Sequence, residues 1–234
     1  EKYRVPAGKI DVVYNGYGGE YRVIDDVDEL ERVRSRYGLE RHFLYFPAAT
    51  WPHKNHRRLL GALRILVDRY RFDGQLVLTG ISMKSHGDIL KEIERLDLGE
   101  QVKILGYLPY AELPYLYNLA RLLVFPSLFE GFGLPLVEAM ACGCPVVCSD
   151  VTAIPEVIGK AGLLFDPTAE EDIAAKIWSA WNDEELRKRL VALGFQRAGL
   201  FRWEKAALQT IEVYKKALGI SSSDAGTPGR GEKS

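Results

Sequence analysis

Long apolar runs are missing from this sequence. No stretch approaches the ~18 consecutive apolar residues of a membrane-spanning helix. The N-terminus also lacks the charged and apolar pattern of a secretory signal. Because the sequence does not begin with methionine, this second absence says little about targeting. We expect a cytoplasmic protein without a transmembrane segment, and a peripheral association with a membrane is compatible with this composition.

An excess of charge of either sign is also missing. The 234 residues include 31 Lys and Arg against 32 Asp and Glu. Proteins that bind nucleic acid usually carry a clear basic excess, so no nucleic-acid partner is expected. The apolar fraction of 47% is sufficient for a proper hydrophobic core. Composition therefore indicates an ordinary globular protein and leaves only a local basic patch open as a nucleic-acid contact.

Cysteine is scarce and clustered. Cys142, Cys144 and Cys148 are the three cysteines of the chain, with no histidine beside them and no C-x-x-C spacing. Such spacing and nearby histidines are what metal and redox clusters need. We therefore predict three small buried thiols in a reducing compartment rather than a metal site.

Short apolar runs alternate with segments of helical periodicity. The predicted strands cover residues 9–15, 42–46, 75–79, 102–105, 122–125 and 145–148, and three helices follow from residue 170 onward. This alternation predicts an α/β fold: a Rossmann-like parallel sheet with helices on both faces. Residues 1–218 are expected to form one domain with closing helices, and residues 219–234 a disordered tail.

The most informative stretch is S-L-F-E-G-F-G-L-P-L-V-E at 127–138, directly after an apolar strand. Pro135 suits the first turn of a helix. A glycine-rich turn that opens a helix offers free N–H groups to an anion, and Gly131 and Gly133 allow a phosphate to approach their backbone. Glu130 and Glu138 would repel a phosphate, so they are expected to accept hydrogen bonds from sugar or ribose hydroxyls.

The same stretch, followed by A-M-A-C-G-C-P-V-V, resembles the E-x7-E motif of the retaining glycosyltransferases of family 4, the glycosyl transferase group 1 proteins. The likeness runs from about residue 9 to 218 and covers the C-terminal, donor-binding half of their two-domain GT-B fold. It implies a nucleoside diphosphate sugar, either a GDP- or a UDP-hexose, and transfer without a metal or other cofactor. No D-x-D run stands in the site region.

The resemblance also implies roles for individual residues. Glu138 would hold the ribose hydroxyls and Glu130 would face the transferred sugar, with Glu130 and Lys54 as the catalytic pair. Lys54 and the N–H groups of the turn, Phe132, Gly133 and Leu134 included, would stabilise the departing diphosphate.

One position of the phosphate contact departs from the family pattern. The family usually places an arginine about six residues before Lys54, where this chain has Ala48. His53, His56 or Arg57 are open as its replacement. Residues near the nucleobase would be Gly80, Gly106, Tyr107 and Leu108.

Independently of the resemblance, every one of these positions follows a predicted strand. In a parallel sheet the ligand binds beyond the carboxyl ends of the strands. Taken with this position, the resemblance implies the donor-binding part of a hexosyltransferase in polysaccharide or glycoconjugate biosynthesis. The glycan or lipid-linked acceptor would bind a missing N-terminal half, so the chain alone would be inactive.

Two other functions are compatible with the sequence. One is a non-catalytic module that binds nucleotide sugars. The other is a nicotinamide-dependent oxidoreductase module, in which Gly16 and Gly18 would begin the dinucleotide fingerprint. Tyr21 holds the place of its third glycine, and no helix signal follows, so this alternative is disfavoured.

Overall fold

The computed structural model describes residues 5–39 and 42–219. Its centre is a parallel sheet of six strands in the order β3-β2-β1-β4-β5-β6. The strands are β1 Phe43–Pro47, β2 Gln75–Thr79, β3 Val102–Gly106, β4 Leu122–Phe125, β5 Val146–Ser149 and β6 Gly162–Phe165. Every residue of β4 and of β5 is buried, which is why these strands read as continuous apolar runs.

Helices cover both faces of this sheet. They are α1 Val27–Arg36, α2 His56–Tyr70, α3 His86–Arg95, α4 Leu113–Leu119, α5 Leu134–Ala141, α6 Ile154–Ile158, α7 Glu170–Asn182, α8 Glu184–Ala198 and α9 Trp203–Leu218. Neighbouring residues of β1 meet different helices, since the Tyr45 ring contacts Tyr117 of α4 and the Phe46 ring contacts His56 of α2. Successive side chains of a strand point to opposite faces. The predicted fold class is confirmed.

One predicted strand is wrong. Residues 9–15 belong to no sheet within the described part of the chain, where Ala7–Lys9 is a short 3-10 helix and residues 10–16 are irregular. Ile10 and Val12 are exposed, and the only sheet-like contact nearby is a single bridge from Tyr17 to Arg202. The alternation of apolar residues here has no sheet edge beside it.

The predicted burial of the three thiols is confirmed. Cys142, Cys144 and Cys148 are free and buried, and burial raises the pKa of Cys142 to about 12. The predicted tail lies outside the described residues except for Gly219, which caps α9.

The order of the strands determines where a ligand can bind. The chain runs outward from β1 to β2 and β3, then returns to the other side of β1 with β4, β5 and β6. The loops that follow β1 and β4 therefore leave the sheet side by side and diverge. Such a topological switch point creates a crevice at the carboxyl ends of the strands. The loop after β1 carries Lys54 and the loop after β4 carries Glu130.

Candidate functional site

Lys54 and Glu130 meet at this switch point. Lys54 Nζ lies 2.6 Å from Glu130 Oε1, although the residues are 76 positions apart. The side chains are 19% and 13% exposed, so the pair faces the crevice without being fully buried. Lys54 Nζ also lies 5.6 Å from the centre of the Phe125 ring, at the end of β4. The two predicted catalytic residues are thus in direct contact at the switch point.

Hydrogen bonds to the backbone hold the two loops together. Asn55, in a left-handed conformation (φ 63°), donates from Nδ2 to the carbonyls of Pro126 (3.0 Å) and Pro167 (2.8 Å). The N–H of Leu128 donates to the carbonyl of His53 at 2.8 Å. The N–H of Glu130 donates to Thr152 Oγ1 at 3.2 Å. The loop after β4 is therefore fixed on both sides of Glu130.

Beside this pair, α5 begins where the sequence predicted a helix start. Gly133 is its N-cap with φ 98°, and a Cβ there would lie 2.9 Å from Leu136 Cδ1. Pro135 has no N–H, and the N–H of Leu136 donates to the Gly133 carbonyl. Within the described residues no acceptor pairs with the N–H groups of Gly133 and Leu134. These groups and the helix dipole give this end of α5 a partial positive charge of the kind that suits an anion.

The other two turn residues differ in their surroundings. A Cβ on Gly131 would meet no atom within 4 Å, so no packing contact explains the glycine, and its backbone is open to a ligand. Phe132 is half-buried and packs on Tyr14 and Phe201, with ring centres 6.2 Å and 5.5 Å away. The Phe132 side chain therefore anchors the turn to the segments before α1 and α9.

Glu138 lies one turn into α5 and is only 8% exposed. Its Oε2 accepts a 2.7 Å hydrogen bond from the hydroxyl of Tyr117 on α4. Burial raises the pKa of Glu138, while the Tyr117 and Tyr21 hydroxyls oppose that rise. Sequence reasoning missed Tyr117. The signal was a tyrosine in the middle of the helix L-P-Y-L-Y-N-L, which also carries Tyr115 and Asn118.

The positions predicted near the nucleobase lie at the ends of β2 and β3. Gly80, with φ 132°, approaches β1 so closely that a Cβ would lie 2.5 Å from the carbonyl of Ala48. Packing thus accounts for this glycine. Gly106 has φ 70° and open space around it. Tyr107 is 70% exposed, whereas Leu108 is buried. Tyr107 and Gly106 border the open end of the sheet.

The three residues proposed to replace the family arginine differ in burial and in their contacts. Burial beside Lys54 lowers the pKa of His56 to about 4, and neither ring nitrogen has a partner among the described residues. His56 is therefore neutral at physiological pH. Arg57 is exposed and lies 3.5 Å from Glu92 on α3. His53 is exposed and directly precedes Lys54.

The dinucleotide fingerprint is not built. Gly16 and Gly18 lie in the irregular segment outside the sheet, and the next helix starts only at Val27. A Cβ on Gly16 would lie 2.2 Å from the backbone nitrogen of Trp203, which explains this glycine by packing. A dinucleotide fold needs a strand before these glycines and a helix after them.

Two searches of residues 5–39 and 42–219 were negative. They contain no group of three or more His, Cys, Asp or Glu side chains that could hold a metal ion. Within the same ranges, no helix has both the length and the apolar composition needed to cross a membrane.

Residues 27–197 match the family described as "Glycosyl transferases group 1". The O-antigen chain mannosyltransferase B of Escherichia coli is 43% identical over 164 residues, which are 70% of this chain and 43% of that protein. A serotype-specific mannosyltransferase of Escherichia coli is 33% identical over 218 residues, 92% of this chain and 27% of that protein. This chain thus spans less than half the length of either relative.

Solved structures share the fold. Anabaena HepE in complex with UDP and glucose superimposes with a TM-score of 0.77 at 22% identity, covering 93% of this chain and 59% of that one. The neighbours are GT-B glycosyltransferases, in agreement with the predicted half of a GT-B fold. With the family match covering most of the sheet and the E-x7-E turn, this chain belongs to the group 1 family of glycosyl transferases.

Proposed function

We propose that this chain binds the nucleoside diphosphate hexose donor of a retaining, metal-independent hexosyltransferase of family 4. The observation that carries the proposal is the Lys54–Glu130 pair at the switch point, beside the open N-terminus of α5. A cation and free N–H groups suit a diphosphate, and a carboxylate suits the hydroxyls beyond it. No other part of the described chain combines these chemistries at the strand ends.

Each group has a defined task in this proposal. Negative charge develops on the diphosphate as the bond to the sugar breaks. Lys54 and the N–H groups of Gly133 and Leu134 stabilise that charge where it appears, which is the most effective use of fixed dipoles. Glu130 orients the sugar hydroxyls, and Glu138 accepts hydrogen bonds from the ribose.

The names of the relatives reduce the number of candidate donor sugars. Both Escherichia coli relatives are mannosyltransferases, which favours a mannosyl donor and a role in assembling a surface polysaccharide. The structurally similar Anabaena protein was solved with UDP. We therefore propose a GDP- or UDP-hexose, with GDP-mannose and UDP-glucose as the first ligands to compare.

The acceptor belongs to the remainder of such an enzyme. This chain spans less than half the length of its curated relatives. We therefore propose that it contains the donor site, and that a second domain binds the glycan or lipid-linked acceptor. Closing two domains over the donor is what would exclude water from the reaction. We expect donor binding, but no sugar transfer, from the chain alone.

Titration calorimetry in excess EDTA tests the proposal. GDP, UDP and ADP are compared, with and without their sugars. We expect one nucleoside diphosphate to bind without added metal. Absence of binding by all of them, or binding that vanishes with EDTA and returns with magnesium, contradicts it. Titration with NADH tests the oxidoreductase alternative, and we expect no binding.

A further inference from the structure

A row of buried tyrosines runs from Glu138 to the end of β2. Tyr117 of α4 is fully buried, and its ring meets those of Tyr45 and Tyr21 edge-on, with centres 5.2 Å and 5.8 Å away. The Tyr45 hydroxyl lies 3.0 Å from Thr79 Oγ1, the last residue of β2. The row thus joins the α5 carboxylate to the strand end that precedes Gly80.

Packing alone does not explain this arrangement. A carboxylate buried as deeply as Glu138 costs stability unless its oxygens are paired, and an apolar residue of similar size would pack at lower cost. Tyr117 supplies one charge-assisted hydrogen bond, to Oε2. Among the described residues no geometric hydrogen bond reaches Oε1, and the nearby Tyr21 hydroxyl, which also lowers the pKa of Glu138, meets no acceptor. One oxygen is therefore held by the protein and the other is left for a ligand.

The donor in this bond is well defined. A phenol has a single O–H, so Tyr117 can point its proton at one acceptor only. Burial, together with the Glu138 charge, raises the pKa of Tyr117 well above its usual value, so the phenol keeps its proton. The ring packs edge-on against Tyr45 and Tyr21, which keeps the hydroxyl oxygen in place beside the carboxylate.

We infer that Tyr117 is the positioning residue of the ribose site: its hydroxyl fixes Oε2 of Glu138, so that Oε1 is presented to the vicinal hydroxyls of the nucleotide. This inference rests on the proposed function. The inference adds to that function a residue of α4, Tyr117, through which the site prefers a ribose to a deoxyribose. Tyr117 does not touch the ligand and acts only through Glu138.

Binding of a ribonucleoside diphosphate and its 2′,3′-dideoxy analogue tests the inference. For Tyr117→Phe we expect the ribo ligand to bind about tenfold more weakly, as loss of a hydrogen bond to a charged group predicts, with the dideoxy ligand unchanged. Tyr45→Phe is the matched control: it removes a buried hydroxyl of the same row that pairs with Thr79 rather than Glu138. This variant should bind both ligands like the wild type.

The pH dependence of binding gives a second test, because a purely structural role of Tyr117 would not change the pH at which ribose-dependent binding is lost. The Tyr117 hydrogen bond lowers the pKa of Glu138 against the effect of burial. Tyr117→Phe should therefore shift the loss of ribose-dependent binding to higher pH. The titratable groups that surround this carboxylate are those of Tyr117, Tyr21, Glu20, Tyr45, Tyr110 and Cys142. Tyr45→Phe should leave the midpoint in place.

A double variant guards against a folding defect. Tyr117→Phe leaves a buried charge without its donor, which destabilises the fold. With Glu138→Gln that charge is gone, so the double variant should fold and bind like Glu138→Gln alone. A further loss in the double variant would show that Tyr117 acts by another route and overturn the inference.

The outcomes separate the two claims. If the wild type binds no nucleoside diphosphate, the proposed function fails and the inference with it. If the wild type prefers the ribo ligand and Tyr117→Phe keeps that preference, only the positioning role is refuted. Equal losses for both ligands in Tyr117→Phe would likewise refute it.

Discussion

Replacing Lys54 by alanine removes the cation at the switch point and leaves Glu130 without its partner. The two groups lie 2.6 Å apart, and both side chains are less than one-fifth exposed, so the change is only partly screened by water. A charge-assisted hydrogen bond to a phosphate contributes about 1.5–3 kcal/mol, or roughly 10- to 150-fold in affinity. We expect a nucleoside diphosphate to bind more weakly by that factor.

The unpaired Glu130 adds a second effect. Two like charges about 6 Å apart at an effective dielectric constant near 20 repel by up to ~3 kcal/mol. In Lys54→Ala this repulsion acts on the incoming diphosphate. The double variant Lys54→Ala/Glu130→Gln removes it, so the double variant should bind the diphosphate more tightly than Lys54→Ala does. Such non-additivity is typical of residues in direct contact.

Titration calorimetry with the diphosphate and with the parent nucleoside measures both effects. The nucleoside has no phosphate and should bind all variants equally. Melting temperatures without ligand control for folding. Equal losses for nucleoside and diphosphate would mean that Lys54 is structural, and a double variant no better than Lys54→Ala would mean that the unpaired Glu130 does not repel the bound diphosphate.

Four further substitutions test other parts of the site. Glu130→Gln should change affinity for the plain diphosphate by less than about threefold while weakening its sugar conjugate, and equal losses for both would refute the assigned role. Gly133→Ala places an L-residue at φ 98°, which costs about 1–2 kcal/mol and should lower the melting temperature by roughly 2–8 °C. Gly131→Ala, where a Cβ meets nothing, should keep the wild-type melting temperature but bind the diphosphate more weakly. Glu138→Gln should raise the free energy of unfolding at pH 7. Burial raises the pKa of the Glu138 carboxyl in the folded state, so protonation of this carboxyl favours folding. That contribution is lost as the pH rises through this pKa, and the glutamine variant has no such loss. The advantage should shrink on acidification, and a constant difference between pH 7 and 4 would contradict this cause.

Local patterns predicted most of the elements. β2 and β4 have the bounds expected from apolar periodicity, and α5 starts beside Pro135 as its turn signals indicate. These elements are buried strands or amphipathic helices, whose patterns reflect burial directly. The segment 9–15 failed because alternation predicts a strand only where a sheet edge is available, and sequence does not show that edge.

Contacts between residues far apart in the sequence could not be predicted from local patterns. The sequence placed Lys54 and Glu130 at strand ends, but only the strand order brings them to 2.6 Å. The role of Tyr117 could not be predicted from the sequence, because a buried hydroxyl and an apolar contact produce the same periodicity. That Gly80 serves packing against Ala48 also depends on the distance between two neighbouring strands.

A crystal structure of this chain with the nucleoside diphosphate that it binds most tightly tests the central claim most directly. The account predicts the diphosphate within hydrogen-bond distance of Lys54 Nζ and of the N–H groups of Gly133 and Leu134, with the ribose on Oε1 of Glu138. A diphosphate bound elsewhere, with the Lys54–Glu130 pair intact and the α5 N-terminus empty, would contradict it.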